Sequence, residues 1–289
     1  MIDRIKLYRD SFQNHKVYPI PKAQLVIADI PYQLGNNAYG SNPSWYIDGD
    51  NKNGESDKAH KSFFNTDSKS AFGINEFFLF CRTLLRKEPK EAGKSPCMII
   101  FCAFEQQFEL IKEAQKWGFN HYINLVFRKN FSAQVLKANM RIVGNCEYGL
   151  LFYREKLPKF NNENKMIFNC MDWVRDTTTP KIHPTQKPVL LLENLIRLFT
   201  DVDDVVIDPV AGSGTTLLAS ANCGRRAYGF EIDRNFYNGF YEKILPMAQI
   251  DMFDNAKIEE KKQEKLKFIG GRITNGKVWR VYFKAVGKG

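Results

Sequence analysis

The sequence is poor in the residues that build metal centres and disulfide frameworks. Its 289 residues include four histidines and six cysteines, and no two cysteines form a Cys-x-x-Cys pair. The cysteines lie mostly within apolar stretches, which is typical of reduced thiols in a protein core. The histidines do not have the spacing of ligands, so we expect no structural metal and assign no metal-binding residue.

Long hydrophobic runs are also lacking. The longest apolar run, residues 97–104, is far shorter than the roughly 20 residues of a membrane-spanning helix. Residues 1–4 do not form the apolar segment of a secretion signal. We therefore expect neither secretion nor membrane insertion, and the reduced cysteines favour a cytoplasmic location.

Negative charge is scarce in two segments of the chain. Residues 128–187 contain 11 Lys and Arg against 5 Asp and Glu, and residues 251–289 contain 10 against 5, within a net charge of +10 for the whole sequence. Concentrated positive charge favours contact with a polyanion, because each neutralised phosphate releases counterions. A lysine-rich surface without such a partner is the alternative.

Short apolar segments alternate with segments of helical periodicity along the chain. Strands are predicted at residues 24–28, 97–103, 121–127, 146–153, 204–207 and 227–232, and helices at 74–87, 105–117, 189–199, 217–223 and 234–247. This alternation predicts an α/β fold with a mostly parallel central sheet and helices on both faces.

Two segments stand apart from this pattern. Residues 35–73 are rich in Asn, Gly, Ser and Asp, and a loop of this length is more often functional than a simple connection. Residues 251–289 predict a charged helix followed by a hairpin, because Asn275-Gly276 favours a type I′ turn. We expect a main domain at residues 1–250, carrying the inserted loop, and a basic extension at residues 251–289.

A glycine loop follows the predicted strand at residues 204–207. Residues 208–216, Asp-Pro-Val-Ala-Gly-Ser-Gly-Thr-Thr, allow backbone N–H groups to approach a ligand at the carboxyl edge of a sheet. The loop lacks the Gly-Lys-Ser/Thr of ATP-binding loops, and Leu217 replaces the third glycine of dinucleotide-binding loops. Glu231 ends the next strand 17 residues after Gly214, where a carboxylate can bind both hydroxyls of a ribose. An adenosine-containing ligand is predicted.

Two other short motifs carry candidate chemistry. Residues 29–32, Asp-Ile-Pro-Tyr, place a carboxylate, a backbone carbonyl and an aromatic ring after a buried strand. Residues 183–188, His-Pro-Thr-Gln-Lys-Pro, lead into a predicted helix. Taken singly, the first motif is more typical of an ordinary strand-ending turn, and the second of a surface segment.

Taken together and in this order, the three motifs resemble those of the AdoMet-dependent DNA amino-methyltransferases, and the tetrapeptide preceding the glycine loop resembles the beta group of that family. The resemblance extends over about residues 25–247. It implies a Rossmann-like AdoMet methyltransferase fold with an antiparallel edge strand, in which the strands before the tetrapeptide and before the glycine loop are adjacent. The family usually has proline where this chain has Ile30, although any residue supplies the backbone carbonyl.

The resemblance also implies roles for individual residues. Asp29 and the carbonyl of Ile30 would accept the two hydrogens of an exocyclic amine, Pro31 would constrain the loop, and Tyr32 would stack on the target base. The positions that match the cofactor-binding motifs of the family are Asp208, Pro209, Ala211, Gly212, Ser213, Gly214, Thr215, Glu231, His183, Thr185, Gln186 and Lys187.

Double-stranded DNA is the implied partner, with the target base swung out of the duplex. By the family's logic, target recognition is expected at residues 154–182. The candidate DNA contacts are two aromatic residues of the inserted loop and six basic residues: Trp45, Tyr46, Arg154, Lys156, Lys159, Lys165, Arg175 and Lys181. Core packing is the alternative for the two aromatic residues.

The first residue of the tetrapeptide favours N6-adenine as the target, because cytosine-N4 relatives more often have serine there. Cytosine-N4 methylation, methylation of RNA or of a protein, and a catalytically silent nucleic-acid-binding protein of the same fold are the alternatives. A homodimer is compatible with the sequence.

Overall fold

The computed structural model describes residues 4–31, 72–131, 134–137, 142–249, 273–274 and 277–278. Tyr32, Trp45 and Tyr46 lie outside the described residues, as do nearly all of the inserted loop and most of the basic extension. The predictions made for these residues therefore stay predictions.

The chain forms twelve strands in its described part. These are β1 (Ile5–Tyr8), β2 (Leu25–Asp29), β3 (Cys97–Cys102), β4 (His121–Lys129), β5 (Gln134–Lys137), β6 (Ile142–Gly144), β7 (Cys146–Tyr153), β8 (Cys170–Trp173), β9 (Val205–Asp208), β10 (Arg226–Phe230), β11 (Ile273–Thr274) and β12 (Lys277–Val278). Eight of them build one sheet in the order β1-β10-β9-β2-β3-β7-β4-β8. The pairing of β11 with β12 is antiparallel, which matches the predicted hairpin.

Strand β7 is antiparallel to both of its neighbours, and the other neighbouring pairs of the sheet are parallel. The chain turns back after β4 through the antiparallel pair β5–β6, so β7 lies between β3 and β4. The expected antiparallel strand is present, but its predicted position at the edge is wrong. The edge strands are β1 and β8. Strand β8, which pairs in parallel with β4, has four residues, and periodicity did not predict it.

Five α-helices accompany the sheet in the described residues. They are α1 (Ile74–Leu84), α2 (Gln107–Lys116), α3 (Val189–Phe199), α4 (Thr215–Asn222) and α5 (Arg234–Gly239). The helix predicted at residues 234–247 is α-helical only in α5, and it continues as a π-helical turn (Phe240–Ile244) and a 3₁₀ turn (Leu245–Met247). None of the helices in the described part of the chain is long and apolar enough to cross a membrane.

Two apolar clusters, one on each face, hold these layers together. Alternate side chains of β2 point to opposite faces: Leu25 and Ile27 pack with α3 and α4, whereas Val26 and Ala28 pack with α1 and α2. The predicted α/β fold with a covered, mostly parallel sheet is therefore confirmed.

The parallel strands end together at one edge of the sheet. Asp29 ends β2, Asp208 ends β9, and Glu231 follows β10. Strand β2 pairs directly with β9, so the tetrapeptide and the glycine loop leave the sheet from adjacent strands, as expected. Because β7 runs in the opposite direction, its first residues, including Glu147, lie at this same edge.

Candidate active site

The glycine loop requires glycine at two positions. Gly212 and Gly214 have φ angles of 53° and 76°, in the left-handed region that favours glycine. A Cβ atom on Gly214 would lie 2.2 Å from Cδ2 of the Phe240 ring, and one on Gly212 would lie 3.6 Å from the His183 ring. The backbone of this loop therefore passes close to two rings and presents its N–H groups at the start of α4, an arrangement that suits a polar or anionic ligand.

Backbone hydrogen bonds fix the loop against the sheet. The Ala211 N–H donates to the carbonyl of Phe230 at 2.9 Å, and the Gly214 N–H donates to the carbonyl of Ala211 at 2.7 Å. The neighbouring residues assigned to the cofactor are all buried: Pro209, Ala211, Ser213 and Thr215. The side chains of Ser213 and Thr215 are thus shielded from water, and their hydroxyl oxygens are 3.5 Å apart.

Two carboxylates flank the loop in desolvated positions. Burial raises the pKa of Asp208 to about 7, against hydrogen bonds from the Thr216 hydroxyl and the Val210 N–H that lower it. Burial also raises the pKa of Glu231 to about 7, against hydrogen bonds from backbone N–H groups that include that of Gly212. Carboxylates in such positions favour a ligand that brings hydrogen-bond donors, such as ribose hydroxyls or an ammonium group.

His183 lies against the glycine loop. Its ring makes an edge contact with Phe236, with centroids 4.5 Å apart. Burial, with Lys187 and Lys181 adding to it, lowers the pKa of His183 to about 4, although Asp233 acts in the other direction. The imidazole is therefore neutral at physiological pH, and it forms an apolar wall of the candidate cofactor site.

The two residues after Pro184 have different surroundings. The backbone N–H and the hydroxyl of Thr185 lie 3.3 and 3.2 Å from Nδ1 of His183. Gln186 bridges its own loop, because its amide donates to the Pro180 carbonyl at 3.0 Å and accepts from the Ile182 N–H at 3.2 Å. Thr185 is exposed beside the glycine loop, whereas the side chain of Gln186 holds the loop in shape.

Lys187 lies on the candidate catalytic carboxylate. Its Nζ is 2.5 Å from Oδ2 of Asp29 and 3.3 Å from Oε2 of Glu147, and the side chain is only 6% exposed. Burial alone would lower the pKa of Lys187, but the charges and hydrogen bonds of Asp29 and Glu147 outweigh burial and raise it. The resemblance implied a cofactor role for Lys187, and the structure instead gives its ammonium group two carboxylate partners.

The residues after Asp29 are anchored from the neighbouring strand. The side chain of Ile30 is buried in the core, and its N–H donates to the carbonyl of Phe101 at 3.3 Å. The carbonyl of Pro31 accepts a hydrogen bond of 3.0 Å from the side chain of Gln106. Packing of Ile30 thus replaces the rigidity that a proline ring would supply at this position.

The basic residues assigned to DNA fall into two groups. Arg154 donates to the carbonyl of Arg86, Lys156 donates to the carbonyls of Pro89 and Lys90, and Lys159 pairs with Asp201 at 2.6 Å; all of these contacts lie at the amino edge of the parallel strands.

Arg175 and Lys181 are exposed and follow the carboxyl end of β8, on the side of the sheet edge that carries Asp29. Arg175 lies over the ring of Phe131 at 4.3 Å. Lys165 is exposed and pairs with Glu163. Arg175 and Lys181 are therefore the two assigned cations nearest in the fold to the candidate catalytic edge.

Sequence reasoning missed three residues at this edge: Lys129, Glu147 and Gln106. Each lies within two residues of the end of a predicted element, outside the recognised motifs, and each contacts a motif residue or its partner only through tertiary structure. The closeness of Lys129 and Glu147 to the ends of two predicted strands was the signal that the sequence offered for them.

The comparisons with known proteins agree with this geometry. The family model N6_N4_Mtase, described as DNA methylase, matches residues 23–242. The DNA adenine methyltransferase YhdJ of Escherichia coli (strain K12) is 24% identical over 273 residues, which cover 89% of this chain and 87% of that protein. The type II methyltransferase M.HindIII of Haemophilus influenzae (strain ATCC 51907 / DSM 11121 / KW20 / Rd) is 46% identical over 66 residues, 22% of this chain and 21% of that protein.

Two solved structures share the fold. The crystal structure of the M1.HpyAVI-SAM complex has a TM-score of 0.56 and 19% identity, covering 82% of this chain and 98% of that one. The PvuII DNA methyltransferase (cytosine-N4-specific) has a TM-score of 0.59 and 15% identity, covering 91% of this chain and 92% of that one. At such identities these structures establish the fold alone. Because the family model spans most of the chain, from the strand before Asp29 to the π-helical turn, the protein belongs to the N6_N4_Mtase family of DNA methylases.

Proposed function

We propose that this DNA amino-methyltransferase transfers a methyl group from S-adenosyl-L-methionine to the N6 amine of adenine within a specific sequence of double-stranded DNA. The observation that carries the proposal is the direct pairing of β2 with β9. This pairing brings the Asp29 carboxylate and the glycine loop to one sheet edge, so that a methyl donor and a methyl acceptor can meet there.

The residues around the glycine loop fit S-adenosyl-L-methionine, which when bound supplies an electrophilic methyl group on a sulfonium. Glu231 is suited to accept hydrogen bonds from both ribose hydroxyls, and Asp208 to pair with the ammonium of the methionine moiety. His183 and the backbone of Gly212 and Gly214 would form the walls. Donors from the ligand would favour the ionised forms of both carboxylates, whose pKa values are raised by burial.

The chemistry at the target amine rests on Asp29 and the carbonyl of Ile30. The amine is a weak nucleophile, because its lone pair is delocalised into the base. Two acceptors directed at its two hydrogens would localise this lone pair and aim it at the methyl group. Lys187, held 2.5 Å from Asp29, favours the ionised carboxylate. Asp29 would therefore act as a hydrogen-bond acceptor that orients the amine, and positioning would supply much of the rate acceleration.

DNA is proposed to bind over the edge of the sheet that carries Asp29. Extrusion of the target base costs a few kcal/mol, which contacts to the duplex must offset. Exposed Arg175 and Lys181 are suited to phosphate contacts, and Trp45 and Tyr46 are proposed to stack near the displaced base. Three of the assigned cations already have partners within the chain: Lys156, Lys159 and Arg154. We therefore expect them to contribute little to DNA binding.

The choice of adenine rests on Asp29 as the first residue of the tetrapeptide. The relative from Escherichia coli is named an adenine methyltransferase, and the PvuII enzyme is cytosine-N4-specific; cytosine-N4 methylation is therefore the second candidate. Unmethylated DNA of mixed sequence, incubated with the protein and S-adenosyl-L-methionine, would be digested to nucleosides and analysed by mass spectrometry. N6-methyladenine is the expected product, and N4-methylcytosine alone would reject adenine as the target.

Replacement of Asp29 by alanine separates an enzyme from a silent DNA-binding protein. We expect the variant to lose methyl transfer and to retain most of its DNA affinity, measured by tritium transfer and by fluorescence anisotropy. Methyl transfer at the wild-type rate would show that Asp29 is not the catalytic carboxylate. A wild-type protein that binds DNA and transfers no methyl group would favour the silent protein. A homodimer and a cytoplasmic location stay predictions.

A further inference from the structure

Four charged side chains from four separate elements meet beneath the candidate catalytic edge. They form a chain of alternating charge in the order Lys129, Glu147, Lys187 and Asp29. Lys129 ends β4, Glu147 is near the start of β7, Lys187 precedes α3, and Asp29 ends β2. These four side chains carry two positive and two negative charges.

The two lysines and Glu147 in this row of four charged side chains are shielded from water. The side chains of Lys129 and Lys187 are 8% and 6% exposed, and that of Glu147 is 16% exposed. The Lys187 ammonium lies 5.3 Å from the ring centroid of Phe101 and 5.5 Å from that of Trp173. Interactions between charges are strong in such surroundings, and an unpaired charge there is costly.

Glu147 contacts two ammonium groups, those of Lys187 and Lys129. Its Oε2 lies 3.3 Å from Lys187, and its Oε1 is hydrogen-bonded to Lys129. Burial alone would raise the pKa of Glu147, but the two ammonium groups outweigh burial and lower it. Glu147 is therefore an anion held between two cations, of which Lys187 also contacts Asp29.

We propose that Glu147 is a positioning residue for methyl transfer: it holds the Lys187 ammonium against Asp29 and thereby fixes the carboxylate that receives the target amine. A lysine side chain has four flexible carbons, and a single ion pair leaves it several rotamers. A second carboxylate on the other side of the ammonium restricts it to one position, and Lys129 keeps Glu147 ionised. This inference rests on the proposed function, but it does not depend on which base is methylated.

The variant Glu147→Gln tests the inference, because it preserves the size of the side chain and removes its charge. Tritium transfer from S-adenosyl-L-methionine to unmethylated DNA of mixed sequence measures kcat and KM independently of the target base. We expect kcat to fall by about tenfold to a hundredfold, since small misplacements of reacting groups have effects of this size. The KM for S-adenosyl-L-methionine should change by less than about twofold, because Glu147 lies on the far side of Lys187 from the glycine loop.

The pH dependence of kcat distinguishes positioning from a purely structural role, because a purely structural change would not shift it. Without the Glu147 charge, the Lys187 ammonium favours the ionised form of Asp29 more strongly, so activity on the acid side should persist to lower pH. The variant Lys187→Met should show the opposite shift, because Asp29 loses its cation. Saturating S-adenosyl-L-methionine keeps the cofactor site filled. The other titratable groups facing this chain are unchanged in both variants: Asp208 and Cys102 near Asp29, and His183 near Lys187.

The double variant Glu147→Gln with Lys129→Met separates positioning from charge balance. It restores equal numbers of charges, so we expect the melting temperature to recover while kcat stays low. Glu91→Gln is the matched control, because it removes the carboxylate of an exposed pair with Lys94 outside the candidate sites; its kcat should equal that of the wild type.

Each outcome decides the inference. A low kcat in both Glu147 variants, with opposite pH shifts for Glu147→Gln and Lys187→Met, supports it. Unchanged kcat in Glu147→Gln, or full recovery of kcat in the double variant, overturns it while the proposed function stands. A wild-type protein that transfers no methyl group overturns the proposed function and the inference together.

Discussion

Replacement of Gly214 by alanine tests whether the glycine loop is as tightly confined as its geometry indicates. The φ angle of Gly214 is 76°, and a residue with a Cβ atom pays about 1–2 kcal/mol to adopt this conformation. The added Cβ would also lie 2.2 and 2.8 Å from two carbons of the Phe240 ring. Phe240 is fully buried and contacts Tyr241, with ring centroids 5.0 Å apart, so the ring has little room to move.

Overpacking of this kind costs about 1–3 kcal/mol. We therefore expect Gly214→Ala to lower the free energy of unfolding by about 2–5 kcal/mol, the sum of the backbone and packing costs. Urea denaturation followed by circular dichroism measures this change, and titration with S-adenosyl-L-methionine measures the accompanying loss of cofactor affinity.

Gly93 is the matched control for the backbone cost. Its φ angle is 74°, and a Cβ atom there would meet no atom of the described residues within 4 Å. Gly93 lies near the amino edge of the sheet, where its N–H donates to the carbonyl of Leu157. Gly93→Ala should cost only about 1–2 kcal/mol and leave cofactor affinity unchanged. If Gly214→Ala were no more destabilising than Gly93→Ala, the contact with Phe240 would not confine the loop, and the reasoning would be refuted.

Two further predictions concern pH and DNA. Burial raises the pKa of Asp208 to about 7, so the folded protein binds this proton more tightly than the unfolded chain does. The stability gained from the protonated form is complete below the pKa of the unfolded chain and is lost as pH rises towards 7. The free energy of unfolding, measured by urea denaturation, should therefore fall less between pH 5 and 8 in Asp208→Asn than in the wild type, and an equal fall would contradict this. Arg175→Ala should weaken DNA binding and reduce the slope of log affinity against log salt by about 0.9, the value for one phosphate contact. Lys159→Ala should leave this slope unchanged, because the Lys159 ammonium pairs with Asp201 at the opposite edge. Equal slopes for the two variants in anisotropy titrations would argue against DNA binding at the carboxyl edge.

Local sequence patterns were sufficient for the elements that build the sheet and its cover. The helix predicted at residues 189–199 is α3 with the same bounds, and Gly118, which follows α2, has a φ angle of 82° in the left-handed region that glycine favours. These features depend on apolar periodicity and on the backbone freedom of glycine, both of which are local. The strands β1 and β8 were not predicted, because each has only four residues and, unlike β9, alternates apolar with charged residues or lacks a continuous apolar run.

Local sequence patterns did not predict the order of the strands in the sheet, because that order depends on how distant segments pair. The insertion of β7 between β3 and β4 follows from the reversal of the chain through β5–β6 and from the addition of β8 at the edge. Periodicity states that a segment is a strand and which face it buries, but not which strand lies beside it.

The sequence by itself determined the α/β class, the glycine loop and the family, because strand periodicity, obligatory glycines and short motifs are properties of consecutive residues. The tertiary structure decided the electrostatic surroundings of Asp29, since Lys187, Glu147 and Lys129 reach it from three other elements. It also decided that Arg154, Lys156 and Lys159 contact the chain at the edge away from Asp29. The interaction of two charges depends on their separation and on burial, and both arise only when segments distant in the sequence pack together.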